Sequence, residues 1–146
     1  MKVIAIEEHF ITPMYRDKVG ANEFRNFYLS SRGEQIGHDI VEQNSDLGAQ
    51  RLAHMDAAGV DVQVLSFGSP GPQAFGADTA IPMARDANDC LFDTVKRYPG
   101  RFAGFAALPT AAPEAAAQEL ERAVSKLGMK GAMIHGHTQG SFLDER

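Results

Sequence analysis

The chain has 146 residues, the length of one ordinary domain, and its 44% hydrophobic and 23% charged residues are typical of a soluble globular protein. Its formal net charge is -5 and no run of Lys or Arg occurs, which argues against nucleic acid or an anionic membrane as the main partner. The first residues, MKVIAIEEHF, contain too short an apolar stretch for a signal sequence or a membrane span, so a cytoplasmic location is predicted.

Four apolar segments of strand length occur along the chain, and stretches with helical periodicity separate the last three. The predicted strands are Val3–Ile6, Val60–Phe67, Phe102–Leu108 and Gly131–Ile134. Their nearly continuous apolar runs are typical of parallel strands that are covered on both faces. Strands that alternate with helices in this way favour a doubly wound sheet or a barrel.

Three helices are predicted from the apolar periodicity. The first follows a capping residue, Ser45 or Asp46, and ends at Gly59, which suits a left-handed C-terminal position. The second runs from about Asp78 to Tyr98, and the third from near Pro113 to Gly128. Their predicted apolar faces comprise Leu52 and Met55 in the first helix, Ile81, Ala84, Leu91 and Val95 in the second, and Ala116, Leu120, Ala123, Val124 and Leu127 in the third.

A long connection, at about residues 10–45, separates the first strand from the first predicted helix. It is far longer than the usual two to six residues or so, and long connections of this kind are often functional. It contains several aromatic and basic residues, namely Arg16, Phe24, Arg25, Phe27 and Tyr28. In a βα barrel it would rise from the face where active sites are built and could form a wall or lid. An insertion without function is the alternative.

Glu7 and His9 follow the first predicted strand and are two residues apart. Because side chains alternate along a strand, both project to one face, while Glu8 points to the other. A carboxylate and an imidazole suit Zn, Mn or Fe, but two ligands do not complete a site. By spacing alone, a solvated acidic strand end is the alternative interpretation.

His135 and His137 repeat this spacing directly after the fourth predicted strand. Gly136 and Gly140 would allow the backbone to turn sharply or to approach a ligand closely there. In a barrel, these histidines would lie at the same pole as Glu7 and His9. Loop histidines that are hydrogen-bonded to solvent or backbone are the alternative.

Arg51 is a further candidate, because a guanidinium in the first turns of a helix could reach the barrel mouth and bind an anionic substrate through two hydrogen bonds. A solvated helix residue is the alternative interpretation. No Walker sequence, G-x-G-x-x-G, G-x-S-x-G or Cys-x-x-Cys occurs, so nucleotide-binding and serine-hydrolase functions have no support in the sequence.

Five segments together resemble a known family, the amidohydrolase-related decarboxylases of γ-resorcylate, 2,3-dihydroxybenzoate, 5-carboxyvanillate and aminocarboxymuconate semialdehyde. The segments are IEEHF at 6–10, RLAHMDAAGVDVQVLS at 51–66, ARDAND at 84–89, YPGRFAGFAALP at 98–109 and LGMKGAMIHGHTQGSFLDE at 127–145. The EEHF start is similar to the resorcylate type, whereas the HTQG segment is similar to the carboxyvanillate type. The resemblance therefore leaves the substrate open.

The resemblance implies a (β/α)8 barrel with one divalent metal ion, Zn or Mn, held by Glu7 and His9, and no organic cofactor. In the family the metal orients a small aromatic acid through its carboxylate and a neighbouring phenolic oxygen, the ring carbon is protonated, and carbon dioxide leaves. Arg51 matches a family position that meets the substrate carboxylate. At His135 many relatives carry Asn, which can also hydrogen-bond a substrate. We therefore expect Arg51, His135 and His137 to bind the substrate.

The family also uses a His after strand 5 and an Asp after strand 8, the latter as ligand and proton donor, and both would lie beyond Arg146. Because a complete barrel takes about 250 residues, residues 1–146 are expected to form one incomplete barrel domain, the N-terminal half with strands 1–4. Either the protein continues beyond Arg146, which we favour, or two copies pair edge to edge. A homo-oligomer is expected.

The leading functional hypothesis is a metal-dependent nonoxidative decarboxylase of a hydroxylated aromatic carboxylic acid. The first alternative is a metal-dependent hydrolase of a lactone or amide, in which the metal activates water. The second alternative is an inactive folded domain that acts through oligomerisation.

Overall fold

A computed structural model describes residues 1–19 and 34–145, so the predicted lid residues Phe24, Arg25, Phe27 and Tyr28 lie outside the described residues. Three parallel strands form one sheet in the order β1-β2-β3: β1 (Ile4–Phe10), β2 (Val62–Phe67) and β3 (Phe102–Gly104). The α-helices of the described residues are α1 (Pro13–Val19), α2 (Glu34–Ser45), α3 (Ala49–Ala57), α4 (Ala77–Arg97) and α5 (Pro113–Ser125). Short 3₁₀ helices span Gly71–Ala74 and Leu143–Glu145.

The first strand is longer than predicted. It continues to Phe10 rather than ending at Ile6, so Glu7 and His9 lie inside β1 and not after it. Its pairing with β2 shifts by one residue: from the pair Ala5 and Gln63 to the pair Glu8 and Leu65, β1 advances by three residues and β2 by two. Beyond this irregularity, the parallel ladder is regular up to the pair Phe10 and Phe67.

The prediction of a fourth regular strand at Gly131–Ile134 was wrong. The segment is present as one isolated parallel bridge between Ala106 and Ala132, with hydrogen bonds from Ala106 N to Gly131 O (2.8 Å) and from Met133 N to Ala106 O (3.0 Å). Gly131 has φ of +153°, a conformation that is nearly restricted to glycine and that interrupts an extended strand. The third strand was predicted to reach Leu108 but ends at Gly104. Beyond it, the segment at 131–134 pairs with the described chain only at the isolated bridge to Ala106.

The long connection after β1 is not a bare loop, because it contains α1 and α2. The N-cap of α3 is Gly48 rather than the predicted Ser45 or Asp46. Asp46 still satisfies backbone groups at this helix start, because its carboxylate accepts hydrogen bonds from Gly48 N (3.0 Å) and Arg51 N (2.6 Å). Ser45 instead ends α2, and its hydroxyl donates to Val41 O. Gly59 has φ of +69°, which confirms the predicted left-handed helix end.

The helix faces follow the prediction in α3 and in most of α4, and in part in α5. In α5, Ala116 and Ala123 are buried as predicted, and Leu127 packs against the core. Leu120 and Val124 were also predicted to face the core, yet both are exposed. Glu119 is buried, which was not predicted, and its carboxylate has the polar partners that a buried charge needs.

The core lies between the sheet and the helices, and α4 packs closely on β3. A side chain at Gly104 would meet Leu91 of α4 at 2.4 Å, so only glycine allows this approach. The largest fully buried side chains include Phe10, Tyr15, Met55, Phe67 and Leu91. Within the described ranges, no helix has both the length and the apolar character that crossing a membrane requires.

A buried asparagine joins three elements of this core. The Asn88 side chain of α4 accepts from Ala107 N (2.8 Å) and donates to Ala107 O (3.0 Å), so it pairs both backbone groups of a residue that follows β3. It also donates to Glu119 of α5 (2.7 Å). Since buried backbone groups need partners, Asn88 replaces the strand pairing that Ala107 lacks.

Replacing Asn88 with Ala is expected to lower the free energy of unfolding by about 2 to 3 kcal/mol, because Ala107 and Glu119 lose buried partners. Urea denaturation of the intact protein measures this change in the free energy of unfolding. Asp89→Ala is the matched control: this neighbour is exposed and makes one ion pair with Arg122, so its loss should cost at most about 0.5 kcal/mol. Equal effects of the two variants would contradict the assigned role of Asn88.

Glu119 is the charged member of this buried group. Burial alone would raise the pKa of Glu119, but hydrogen bonds from Arg122 and Asn88, with the charges of Arg122 and Arg85, outweigh it, and the pKa lies below its ordinary value. Arg122 makes two of these hydrogen bonds, from Nε to Oε2 (2.9 Å) and from Nη2 to Oε1 (2.8 Å). The carboxylate is therefore held in its charged form.

This lowered pKa predicts an acid-sensitive contribution to stability. The stabilisation by charged Glu119 is fully present above the ordinary glutamate pKa of 4.5 and is lost as the pH falls through the lower pKa of the folded state. Measured by urea unfolding from pH 7 to pH 3, Glu119→Gln should be less stable at neutral pH and should lose less of its stability on acidification than the wild type. Parallel pH profiles for the two proteins would contradict this role.

Candidate active site at the carboxyl ends of the strands

Glu7 and His9 lie in β1, and the register with β2 determines what meets His9. His9 pairs with Ser66 in the parallel ladder, and its Nδ1 lies 2.9 Å from Ser66 Oγ. Ser66 is fully buried, His9 is half-buried and Glu7 is exposed. The histidine is therefore fixed by the sheet, while the carboxylate is free to bind a ligand.

His135 joins this pair from the far end of the described chain. Its ring centroid lies 6.4 Å from that of His9, and its Nε2 lies 2.8 Å from the Phe67 carbonyl at the end of β2. The pKa of His135 lies below its ordinary value, chiefly because of burial, and the charge of His9 lowers it further. The hydrogen bond to Phe67 and the charge of Glu7 act in the opposite direction. A carbonyl only accepts, so Nε2 carries the proton, and Nδ1 of the neutral ring is an acceptor.

Gln73, in the 3₁₀ helix after β2, holds the backbone around His135. Its Oε1 accepts from His135 N (2.6 Å), and its Nε2 donates to the carbonyl of His135 (3.2 Å) and to Thr138 Oγ1 (3.2 Å). Gln73 is almost completely buried. The position of His135 is therefore set at both its ring and its backbone.

His137 has different surroundings. It is exposed, and its ring lies on that of Phe142, with 4.1 Å between the centroids. The structure thus brings His9 and His135 together, with Glu7 near enough for its charge to act on His135, and places His137 against Phe142.

Arg51 belongs to a second cluster, on the helix-facing side of the sheet. There Glu8 accepts from Gln63 Nε2 (2.9 Å), and Gln63 Oε1 accepts from Arg51 Nη1 (3.2 Å). Arg51 also donates to the carbonyls of Asp46, Gln43 and His9. These contacts use four of the five N–H groups of a guanidinium. Burial lowers the pKa of Arg51, and the charges of Glu8 and Asp46 oppose this effect.

A cavity of about 190 Å³ adjoins Arg51, and its walls include Glu8, Asp46, His54 and Gln63. Glu7 and His9 are not among its lining residues. This cavity is therefore separate from the cluster that the two predicted metal ligands form.

The donor types of Glu7 and His9 fit a divalent metal ion, since a carboxylate and a neutral imidazole are common ligands of Zn and Mn. Across residues 1–19 and 34–145, however, no group of three or more His, Cys, Asp or Glu is arranged to hold a metal. These residues therefore supply part of a coordination shell.

The family model described as Amidohydrolase matches residues 19–146. The chain belongs to the amidohydrolase family. Its curated relatives include the γ-resorcylate decarboxylase of Rhizobium radiobacter, at 38% identity over 93% of this chain and 39% of the relative. The decarboxylase orsB of Emericella nidulans is 34% identical over 97% of this chain and 40% of the relative. The chain thus spans about 40% of the length of the curated relatives it matches.

Solved structures of similar proteins have the same fold. One is 5-carboxyvanillate decarboxylase of Novosphingobium aromaticivorans with manganese and 4-hydroxy-3-methoxy-5-nitrobenzoic acid (TM-score 0.86, 38% identity, 99% of this chain and 44% of that one). Another is dihydroxybenzoic acid decarboxylase of Polaromonas sp. with manganese and the inhibitor 2-nitroresorcinol (TM-score 0.79, 36% identity, 93% and 39%). These matches confirm the predicted fold class, half of an α/β barrel with parallel strands.

The sequence analysis missed Ser66 and Gln73, which position the two histidines. Ser66 stands in the apolar run VQVLSF, and a hydroxyl at the end of a buried strand was the available signal. Gln73 follows the turn-rich segment GSPGP, and its partners lie 62 to 65 residues further along the chain. Nothing in the local sequence indicates such a distant contact.

Replacing Gln73 with Leu is expected to loosen the segment at 135–138, because its backbone loses the Gln73 hydrogen bonds. Amide hydrogen exchange should become about 10-fold faster at His135, whose N–H donates to Gln73. Gln118→Leu, at an exposed position of α5, is the control and should leave this exchange unchanged. Unchanged exchange at His135 in Gln73→Leu would contradict the proposed anchoring.

Proposed function

We propose that this chain is the metal-binding half of a nonoxidative decarboxylase of a hydroxylated aromatic carboxylic acid. The observation that carries the proposal is the convergence of Glu7, His9 and His135 at the carboxyl ends of the strands. Relatives that are 38% identical over 93% of this chain act as γ-resorcylate decarboxylases. Because the chain spans about 40% of those relatives, the activity is proposed for the intact protein that contains it.

Glu7 and His9 are proposed to bind one divalent metal ion, with manganese favoured because two solved relatives contain it. When bound, the ion would supply Lewis-acid attraction for the carboxylate and a neighbouring phenolic oxygen of the substrate. Glu7 contributes a negative charge and His9 a neutral nitrogen, so the pair leaves net positive charge to attract an acidic substrate. No organic cofactor is required by this proposal.

His135 is proposed to contact the substrate. Its neutral ring donates from Nε2 to Phe67 O, which leaves Nδ1 as an acceptor for a phenolic hydroxyl. The reaction breaks the bond between the ring and the carboxylate, its electron pair stays on the ring carbon, and a proton joins that carbon as carbon dioxide leaves. His135 would hold the ring in the orientation that this proton transfer needs.

Substrate-binding roles for Arg51 and His137 stay predictions. Arg51 would have to release backbone contacts to meet a carboxylate with two hydrogen bonds. His137, being exposed beside Phe142, could contact a substrate at the rim of the site. A cytoplasmic location and a homo-oligomer also stay predictions.

The test compares Glu7→Gln with Glu8→Gln in the intact protein. After loading with manganese and incubation with a panel of hydroxybenzoates, the wild type should release carbon dioxide. Glu7→Gln should lower kcat/KM at least about 100-fold and bind less manganese, because a ligand is lost. Glu8→Gln removes the adjacent carboxylate, which faces the helices, and should retain the bound manganese.

Absence of carbon dioxide from every hydroxybenzoate would overturn the proposed activity. Ring opening of lactones without decarboxylation would favour the hydrolase alternative instead. Equal manganese content in the wild type and Glu7→Gln would exclude Glu7 as a ligand.

A further inference from the structure

The His9 ring has one direct side-chain partner that the sheet itself supplies, the buried hydroxyl of Ser66. Oγ lies 2.9 Å from His9 Nδ1, and the two residues are paired across β1 and β2. The parallel ladder holds the two backbones next to each other. The contact therefore needs only the side-chain rotamers of the two residues and no movement of the fold.

The hydroxyl of Ser66 has one proton and two possible acceptors. The carbonyl of Glu8 lies 3.4 Å from Oγ in a geometry that allows donation, and a carbonyl can only accept. When the hydroxyl proton points to Glu8 O, the oxygen lone pairs face Nδ1, which must then carry a proton to make the 2.9 Å hydrogen bond. The unprotonated nitrogen of the neutral ring is then Nε2.

We infer that Ser66 is a positioning residue that holds neutral His9 as its Nδ1–H tautomer and leaves the Nε2 lone pair for a ligand. The histidine ring in water prefers the Nε2–H tautomer. A hydrogen-bond acceptor beside Nδ1 is needed to reverse this preference. A partner that fixes the ring nitrogen opposite to the metal is a common feature of metal-binding histidines. The link to a metal rests on the proposed function, whereas the tautomer belongs to the metal-free protein.

The experiment records long-range ¹H–¹⁵N spectra of the metal-free intact protein with ¹⁵N-labelled histidine, at a pH where the histidines are neutral. The His9 signals are assigned by their loss in His9→Gln. In the wild type, Nδ1 of His9 should have the chemical shift of a protonated nitrogen and Nε2 that of an unprotonated one. Ser66→Ala should shift His9 toward the Nε2–H tautomer, and Ser66→Thr, which keeps the hydroxyl, should restore the wild-type pattern.

Thr94→Ala is the matched control, because it also removes a buried hydroxyl, one that donates to Cys90 O inside α4. It should leave the His9 tautomer unchanged. In manganese titrations, Ser66→Ala should weaken binding about 10-fold relative to both the wild type and Thr94→Ala.

A wild-type spectrum with the Nε2–H tautomer at His9 would overturn the inference, and this result does not depend on whether Ser66→Ala folds. An unchanged tautomer in folded Ser66→Ala would also overturn it. A wild type with the expected tautomer that fails to bind manganese would support the positioning role while removing the metal site of the proposed function, so the two failures are distinguishable.

Discussion

The parallel register between β1 and β2 is the constraint on which the candidate site depends. It pairs His9 with Ser66 on one face and Glu8 with Leu65 on the other, and it brings Phe67 O to the edge where His135 reaches it. A slip of one residue would reverse the faces of the whole strand. The one-residue shift between Ala5 and Glu8 includes Glu7 and ends before His9, so the histidine lies in the regular part of the ladder.

Alternation along a strand predicts that Glu7 and His9 share a face, since that property is local to the sequence. The partners of these residues could not be predicted in the same way, because Ser66 and Gln73 act through pairings between distant segments. The sequence predicted a regular fourth strand where the structure has one isolated bridge. A glycine in a strand pattern permits several conformations, and Gly131 adopts one that a strand does not use. In α5 the helical period was enough to predict the burial of Ala116 and Ala123, but not that of Glu119, which depends on Asn88 of another helix as well as on Arg122.

Arg51 has a structural role that its residue type did not indicate. Its guanidinium joins the end of α2, the start of α3 and the backbone of His9, whereas the predicted contact with a substrate carboxylate stays a prediction. A buried cation of this kind is stable only if its donors have partners, and backbone carbonyls serve this purpose without adding charge. Because one of these carbonyls belongs to His9, Arg51 also stabilises the strand on which the candidate ligands lie.

The two central histidines are held by the same physical device. Each ring uses one nitrogen for a neutral hydrogen bond to β2, His9 with the Ser66 hydroxyl and His135 with the Phe67 carbonyl, and each keeps the other nitrogen for a ligand. Neutral partners orient an imidazole without adding a carboxylate that would favour its protonated form. Both side chains therefore enter the site already oriented by β2, and a cation bound beside them would remain available to an anionic substrate.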